Sequence, residues 1–142
     1  MTFWDASAVV PLCLHEPRTS RLRRLVRQHG RQVVWWGTPV EVHGALARMV
    51  RDRVFTEPAR DQASARLEVL RRAWFEVQPT ERLRSLAEML PSQFDLRAGD
   101  ALQLAAALVW SRERPRGRVF VCLDRRLSEA ADRLGYSVIS DV

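Results

Sequence analysis

The interpretation of the whole chain starts from one stretch, Arg97-Ala98-Gly99-Asp100-Ala101-Leu102-Gln103-Leu104-Ala105-Ala106-Ala107-Leu108. Ala101, Leu104 and Leu108 recur at the spacing of an amphipathic helix, which predicts a helix with one apolar face. The alanines make that face thin, so that another backbone can pack closely against it. Asp100 falls in the first turn, where the positive end of the helix dipole favours a carboxylate. Taken alone, this helix explains Asp100 as an ordinary helix-start residue.

The composition is that of a single globular domain covering residues 1–142, with 46% hydrophobic and 28% charged residues. No apolar run approaches the roughly 20 residues that a membrane-spanning helix needs. The residues from Met1 to Asp5 lack the basic and apolar segments of a signal peptide. We therefore expect a cytoplasmic protein with no membrane contact. Cys13 and Cys122 have no metal-ligand spacing and are expected to be buried free thiols.

The formal net charge is +6, and all basic residues apart from the histidines are arginines, since the chain contains no lysine. Positive charge indicates a polyanion or an acidic partner, and arginine suits bidentate contacts with phosphate. Codon bias explains much of the missing lysine, so the sign of the charge is the safer signal. The arginines between Arg21 and Arg27 are interpreted as a solvated helix face, with RNA contact as the alternative.

Short apolar runs alternate with helix-like segments, which predicts an α/β fold of three layers, α/β/α, around a central and mostly parallel sheet. Strands are predicted at 2–4, 32–36, 118–123 and 136–139. Helices are predicted from Thr19 or Ser20 to about 28, over 57–76, from Thr80 until Pro91 ends the helix, and at 39–50, 97–112 and 125–134. The run 118–123 is continuously apolar, as is typical of a buried parallel strand.

Four acidic residues lie at the junctions between predicted strands and helices or at the start of a predicted helix. Three follow a predicted strand and one opens a helix; they are Asp5, Glu41, Asp124 and Asp100. The carboxyl ends of parallel strands share one edge of a sheet, so these four acids are expected to converge. Their charges would repel one another, and a divalent cation resolves that conflict. Oxygen ligands favour Mg²⁺ or Mn²⁺. The alternative for Asp5 is a plain helix N-cap.

A metal held by carboxylates can activate water and stabilise the charge of a phosphoryl transition state. Basic surface around such a cleft indicates a nuclease, with arginines holding the phosphates. The chain contains no P-loop, no dinucleotide-binding glycine pattern and no nucleophile elbow. A receiver-like or phosphatase domain would share the layout, but the missing lysine counts against it.

The chain resembles the PIN domains, and among them the short VapC-type toxins of bacterial toxin–antitoxin pairs. The likeness covers nearly the whole length and rests on four pieces in the right order and spacing: Trp4–Ala8, Glu41, Leu96–Ala105 and Val121–Leu127. It implies a PIN-like fold and a metal-dependent endoribonuclease that uses water as the nucleophile. The Mg²⁺ or Mn²⁺ ligands and catalytic residues implied by the resemblance are Asp5, Glu41, Asp100 and Asp124.

The resemblance also implies supporting residues. Ser7 matches a hydroxyl position beside the first acid and would orient Asp5, while Arg97 would contact the substrate phosphate. Cys122 departs from the family, which often has Thr or Ser two residues before the last acid, and this puts the positioning of Asp124 in question.

Partners follow from the same likeness. VapC-like proteins usually form homodimers and are held inactive by an antitoxin, which often inserts a basic group into the acidic pocket. The apolar helices between residues 57 and 90, with Trp74 and Phe75, are candidates for the antitoxin groove or the dimer contact; the alternative is that both aromatics fill the core. A non-catalytic PIN-like module that binds RNA or protein is the second hypothesis. The complete set of acids favours the enzyme.

Overall fold

The computed structural model describes residues 1–141, and within them the chain forms a five-stranded sheet that is parallel throughout. The strands lie in the order β3-β2-β1-β4-β5. Their bounds are Thr2–Trp4 (β1), Gln32–Trp35 (β2), Phe75–Val77 (β3), Val119–Val121 (β4) and Ser137–Ile139 (β5). The predicted α/β fold with a central parallel sheet is confirmed.

Helices connect the strands and cover both faces of the sheet. Within residues 1–141 they are Ala6–Val9 (α1), Thr19–His29 (α2), Thr38–Arg51 (α3), Glu57–Ala73 (α4), Glu81–Gln93 (α5), Ala98–Trp110 (α6) and Arg125–Leu134 (α7), with a 3-10 helix at Val10–Cys13 after α1. Throughout this part of the chain, every helix is too short or too polar to cross a membrane.

Successive side chains of a strand point to opposite faces of the sheet, and this divides the core into two halves. In β1, Phe3 packs under α5, α6 and α7, whereas the next residue, Trp4, packs under α1 to α4; both are fully buried. The alanines Ala105, Ala106 and Ala107 of α6 are also fully buried. Their small side chains let α6 lie close to the sheet, as its sequence predicts, and this fixes the start of α6 beside the strand ends.

The predicted helix over 57–76 is wrong at its end. Helix α4 stops at Ala73, and Phe75–Val77 forms the edge strand β3, which pairs with β2 through Val33↔Phe75 and Trp35↔Val77. Trp74 is buried, at 5% exposure, and its ring N–H donates to a Glu76 carboxylate oxygen at 2.9 Å. Phe75 is 45% exposed. The two aromatics therefore have different environments, and Trp74 belongs to the core.

Two predicted helix boundaries also differ from the structure. Pro91 lies inside α5, which continues to Gln93. Proline lacks the N–H that would bond the Ala87 carbonyl, but the Phe94 N–H donates to the Leu90 carbonyl at 3.0 Å and closes the last turn. Thr19 does not cap α2; its hydroxyl accepts from the Glu16 N–H at 3.0 Å and donates to the Pro11 carbonyl at 2.7 Å. Thr19 thus ties the start of α2 to the 3-10 helix.

Candidate active site

The four acids line one cleft at the carboxyl edge of the sheet. This acidic cleft has a volume of about 210 Å³, and its polar lining consists of Ser7 and the four acids Asp5, Glu41, Asp100 and Asp124. Asp5 follows β1, Asp124 follows β4, and Glu41 lies in the first turn of α3 after β2. The structure therefore brings together all four residues that the sequence singled out.

Asp5 is the most buried of the four acids, with 4% of its surface exposed. Its Oδ2 accepts from the Ser7 backbone N–H at 3.0 Å and from the Ser7 hydroxyl at 2.5 Å. The same hydroxyl accepts from the Leu123 N–H at 2.9 Å, which links the ends of β1 and β4. Burial raises the pKa of Asp5, the Ser7 hydrogen bonds oppose that rise, and the charge of Asp100 adds to it.

Glu41 is held by a residue that the sequence analysis did not single out. The Nε2 of Gln103, on α6, donates to Glu41 Oε1 and to the Thr38 hydroxyl, each at 3.1 Å. Gln103 is fully buried, and its Oε1 has no hydrogen-bond partner among residues 1–141. The signal in the sequence was a lone amide within an apolar run, one turn after Asp100.

The electrostatics of Glu41 follow from this position. Burial raises the pKa of Glu41 to about 7; the charges of Asp5 and Asp100 contribute to the rise, and the Gln103 hydrogen bond opposes it. Glu41 is nevertheless solvent-exposed as a residue, so water screens part of the repulsion.

Asp100 and Asp124 complete the set of acids that line the acidic cleft. Asp100 lies in the first turn of α6, and Asp124 is the N-cap of α7, its Oδ1 accepting from the Leu127 N–H at 2.9 Å. Burial and then the charge of Asp124 raise the pKa of Asp100. The Arg97 backbone and the guanidinium groups of Arg97 and Arg126 oppose that rise.

Cys122 contacts a different acid from the one that the sequence suggested. Its Sγ lies 3.7 Å from Asp5 Oδ2 and 3.4 Å from the backbone carbonyl of Asp124. Burial raises the pKa of the Cys122 thiol to about 12, and the charge of Asp5 adds to the rise, so the group stays a protonated donor. The Asp124 carboxylate is instead oriented by the Leu127 N–H at the start of α7.

The chemistry of this donor set fits a hard divalent cation. The four acids offer only carboxylate oxygens, and the charges of three of them each raise the pKa of a neighbour, a repulsion that a bound cation would remove. As the side chains stand, no three carboxylate, imidazole or thiol groups in residues 1–141 form a ready-made metal-binding cluster. Side-chain movements would have to accompany metal binding.

A second cleft, of about 500 Å³, adjoins the acidic cleft and shares Asp100 and Asp124 with it. We call it the arginine cleft, because its remaining lining consists of Arg97, Gly99, Arg125 and Arg126. Arg97 was predicted to contact substrate; Arg125 and Arg126 were not singled out, although they directly follow Asp124 in the sequence.

Comparison of the sequence with protein-family models and with curated proteins found no match.

Proposed function

We propose that this protein is a metal-dependent endoribonuclease, acting in the cytoplasm as the toxin of a type II, VapBC-like toxin–antitoxin pair. The observation that carries the proposal is the convergence of four carboxylates, from four separate segments, on one cleft. Carboxylates that raise one another's pKa are costly to a fold, and such arrangements cluster at functional sites.

The residues divide into ligands and supporting groups. Mg²⁺ or Mn²⁺ would be held by Asp5, Glu41, Asp100 and Asp124. When bound, the metal supplies an activated water and stabilises the charge that develops on the phosphoryl group. Ser7 keeps the Asp5 carboxylate oriented through two hydrogen bonds, and Gln103 keeps Glu41 at the cleft.

RNA as the substrate is supported by charge. The chain carries a net charge of +6, and three of its arginines line the cleft beside the acids. A polyanionic strand is attracted by such a surface, and its phosphates match the guanidinium geometry. Arg97, at the N-cap of α6, would contact the substrate strand from this neighbouring cleft.

The experiment that tests the proposal is cleavage of total RNA by the purified protein, with Mg²⁺ or Mn²⁺ and with EDTA. Asp100→Asn is expected to abolish discrete products, because it removes one carboxylate charge and keeps the size of the side chain. Asp132→Asn, at an exposed position of α7, is the matched control and should cleave normally. Cleavage that survives both EDTA and Asp100→Asn would contradict the proposal.

The partner proposed with this function is an antitoxin, together with a second copy of the toxin. An apolar pocket of about 280 Å³ lies between the 3-10 helix, α3 and α4, and Cys13, Met49, Phe55 and Ala63 contribute to its lining. This pocket falls partly within the 57–90 segment, and it supports that segment as a groove for a partner. Co-purification with a neighbouring gene product that blocks cleavage would test the antitoxin.

A non-catalytic module that binds RNA or protein is the alternative. The arginine cleft supports this second function, because its guanidinium groups can bind RNA whether or not cleavage follows. Metal binding and RNA binding by antitoxin-free protein, without cleavage of any RNA, would favour the module over the enzyme.

A further inference from the structure

The arginine cleft is continuous with the acidic cleft. Asp100 and Asp124 line both, so a ligand that reaches these two carboxylates from one side meets Arg97, Arg125 and Arg126 on the other. Arg97 is the N-cap residue of α6, and the other two arginines occupy the first turn of α7. Three guanidinium groups from two helices therefore stand at one end of the candidate active site.

The arginines are available to a stronger acceptor. Arg126 Nε lies 3.6 Å from Asp95 Oδ2, and Arg125 Nε donates to Glu129 Oε1 at 3.1 Å, but both pairs are largely exposed to solvent. Exposed ion pairs of this kind contribute little to stability. A phosphate, which accepts bidentate hydrogen bonds from guanidinium, can compete with these carboxylates.

We propose that the arginine cleft binds an RNA phosphate next to the one at the acidic cleft, so that the substrate strand runs across both. Placing the scissile bond at the four acids rests on the proposed function; binding of the strand by the arginines does not require cleavage. The acids alone would repel RNA, and the arginine cleft gives the strand its attractive contact beside them.

The binding test uses a fluorescent single-stranded RNA oligonucleotide in EDTA, with fluorescence anisotropy measured over a range of salt concentrations. The variants are Arg97→Ala, Arg125→Ala and Arg126→Ala. Arg116→Ala is the matched control: it removes the same charge from an exposed residue before the start of β4, whereas Asp124 follows the end of β4. Arg116 therefore lies toward the opposite edge of the sheet.

The expected result is weaker binding for the cleft variants, with a slope of log K against log salt that is smaller by about 0.7 for each lost phosphate contact on a single strand. The Arg116→Ala control should keep the wild-type slope. Equal losses in the cleft variants and the control would overturn the proposal, because they would indicate diffuse attraction by the net charge. Absence of RNA binding by the wild-type protein would overturn it as well.

A second measurement locates the phosphate. Single methylphosphonate linkages, which carry no charge, are placed at successive positions around a mapped cleavage site. We expect cleavage by the wild-type protein to fall about tenfold when a linkage adjacent to the scissile bond is neutral, as loss of a charge-assisted hydrogen bond predicts. The double variant Arg97→Ala/Arg126→Ala should show no further loss at that linkage. If the neutral linkage lowered cleavage by the double variant by the same factor as cleavage by the wild-type protein, the proposal would be overturned.

The two proposals fail differently. Normal cleavage by all three arginine variants, with unchanged salt slopes, would show that the arginine cleft does not bind phosphate. The proposed nuclease activity would still be supported. Arginine-dependent RNA binding without cleavage would support the arginine cleft as an RNA site. It would contradict the proposed nuclease activity and favour the non-catalytic binding module.

Discussion

Gln103→Leu should separate catalysis from stability. Leucine has a similar size, but it cannot donate to Glu41 Oε1 or to the Thr38 hydroxyl, so the contact that holds Glu41 at the acidic cleft is lost. Residues that orient metal ligands in this way typically contribute about 10–100-fold to metal affinity or activity when they are replaced. We expect RNA cleavage and Mn²⁺ affinity to fall by a factor in that range.

The free energy of unfolding should change much less. The substitution removes the hydrogen bond to the exposed Glu41, worth about 1 kcal/mol net, and leaves the buried Thr38 hydroxyl without a partner, which costs about 1–3 kcal/mol. It also removes the buried Oε1 that lacks a partner, a group that itself costs about 1–3 kcal/mol. These effects offset each other to within about 1 kcal/mol, which corresponds to roughly 2–4 °C in the melting temperature of a domain of this size.

The assays are calorimetric titration with Mn²⁺, initial rates of RNA cleavage and thermal melting of the same preparations. A double-mutant cycle supplies the control: in a Glu41→Ala background, Gln103→Leu should cause no further loss of metal affinity. Full metal affinity and full cleavage in Gln103→Leu would refute the reasoning. A loss of the same size in the Glu41→Ala background would show that Gln103 acts through the fold and not through Glu41.

Further predictions concern charge and packing. Burial raises the pKa of Asp5, Glu41 and Asp100, so the metal-free folded protein holds protons that the unfolded chain releases. For Glu41, whose pKa rises from 4.5 to about 7, this contribution to stability is fully present below about pH 4.5 and is lost as the pH rises through about 7. Metal-free protein should therefore melt lower at pH 8 than at pH 5.5. Addition of Mg²⁺ at pH 8 should restore the melting temperature, and an unchanged melting temperature would contradict metal binding. Asp5→Asn should raise the melting temperature of metal-free protein at pH 8 and abolish cleavage, since the amide oxygen still accepts from Ser7 without a buried charge; a lower melting temperature would speak against this. Leu104→Ala, at a fully buried position of α6, should cost about 2–5 kcal/mol in urea denaturation.

The layout of the fold could be predicted because most of its signals are local. Strands β1 and β4 are short apolar runs, and each is followed by an aspartate that begins a helix. Strand β3 could not be predicted in this way. Trp74 and Val77 continue the helical spacing of α4, and only pairing with β2, more than 40 residues away in sequence, decides that Phe75–Val77 is extended.

In the candidate site, too, some features could be predicted from the sequence and others could not. Topology was sufficient to bring the four acids to one edge, since each follows a strand or opens a helix that begins there. The contact between Gln103 and Glu41 joins residues 62 positions apart and depends on how closely α6 packs on the sheet. Sequence spacing carries no measure of that distance, so Gln103 appeared only as an unusual polar residue in an apolar run.

Helix capping and metal binding are compatible roles for Asp5 and Asp124. Each is the N-cap of the helix that follows it, and each uses one oxygen for the cap: Oδ2 of Asp5 accepts from Ser7, and Oδ1 of Asp124 accepts from Leu127. The Ala6 N–H also acts on the Asp5 carboxylate, and within residues 1–141 no side chain donates a hydrogen bond to the second oxygen of either acid. The cap fixes the plane of the carboxylate and leaves its second oxygen for the cleft. A capped acid at the end of a parallel strand would therefore be a pre-oriented ligand for the proposed metal, so that helix capping by these aspartates is consistent with the proposed site.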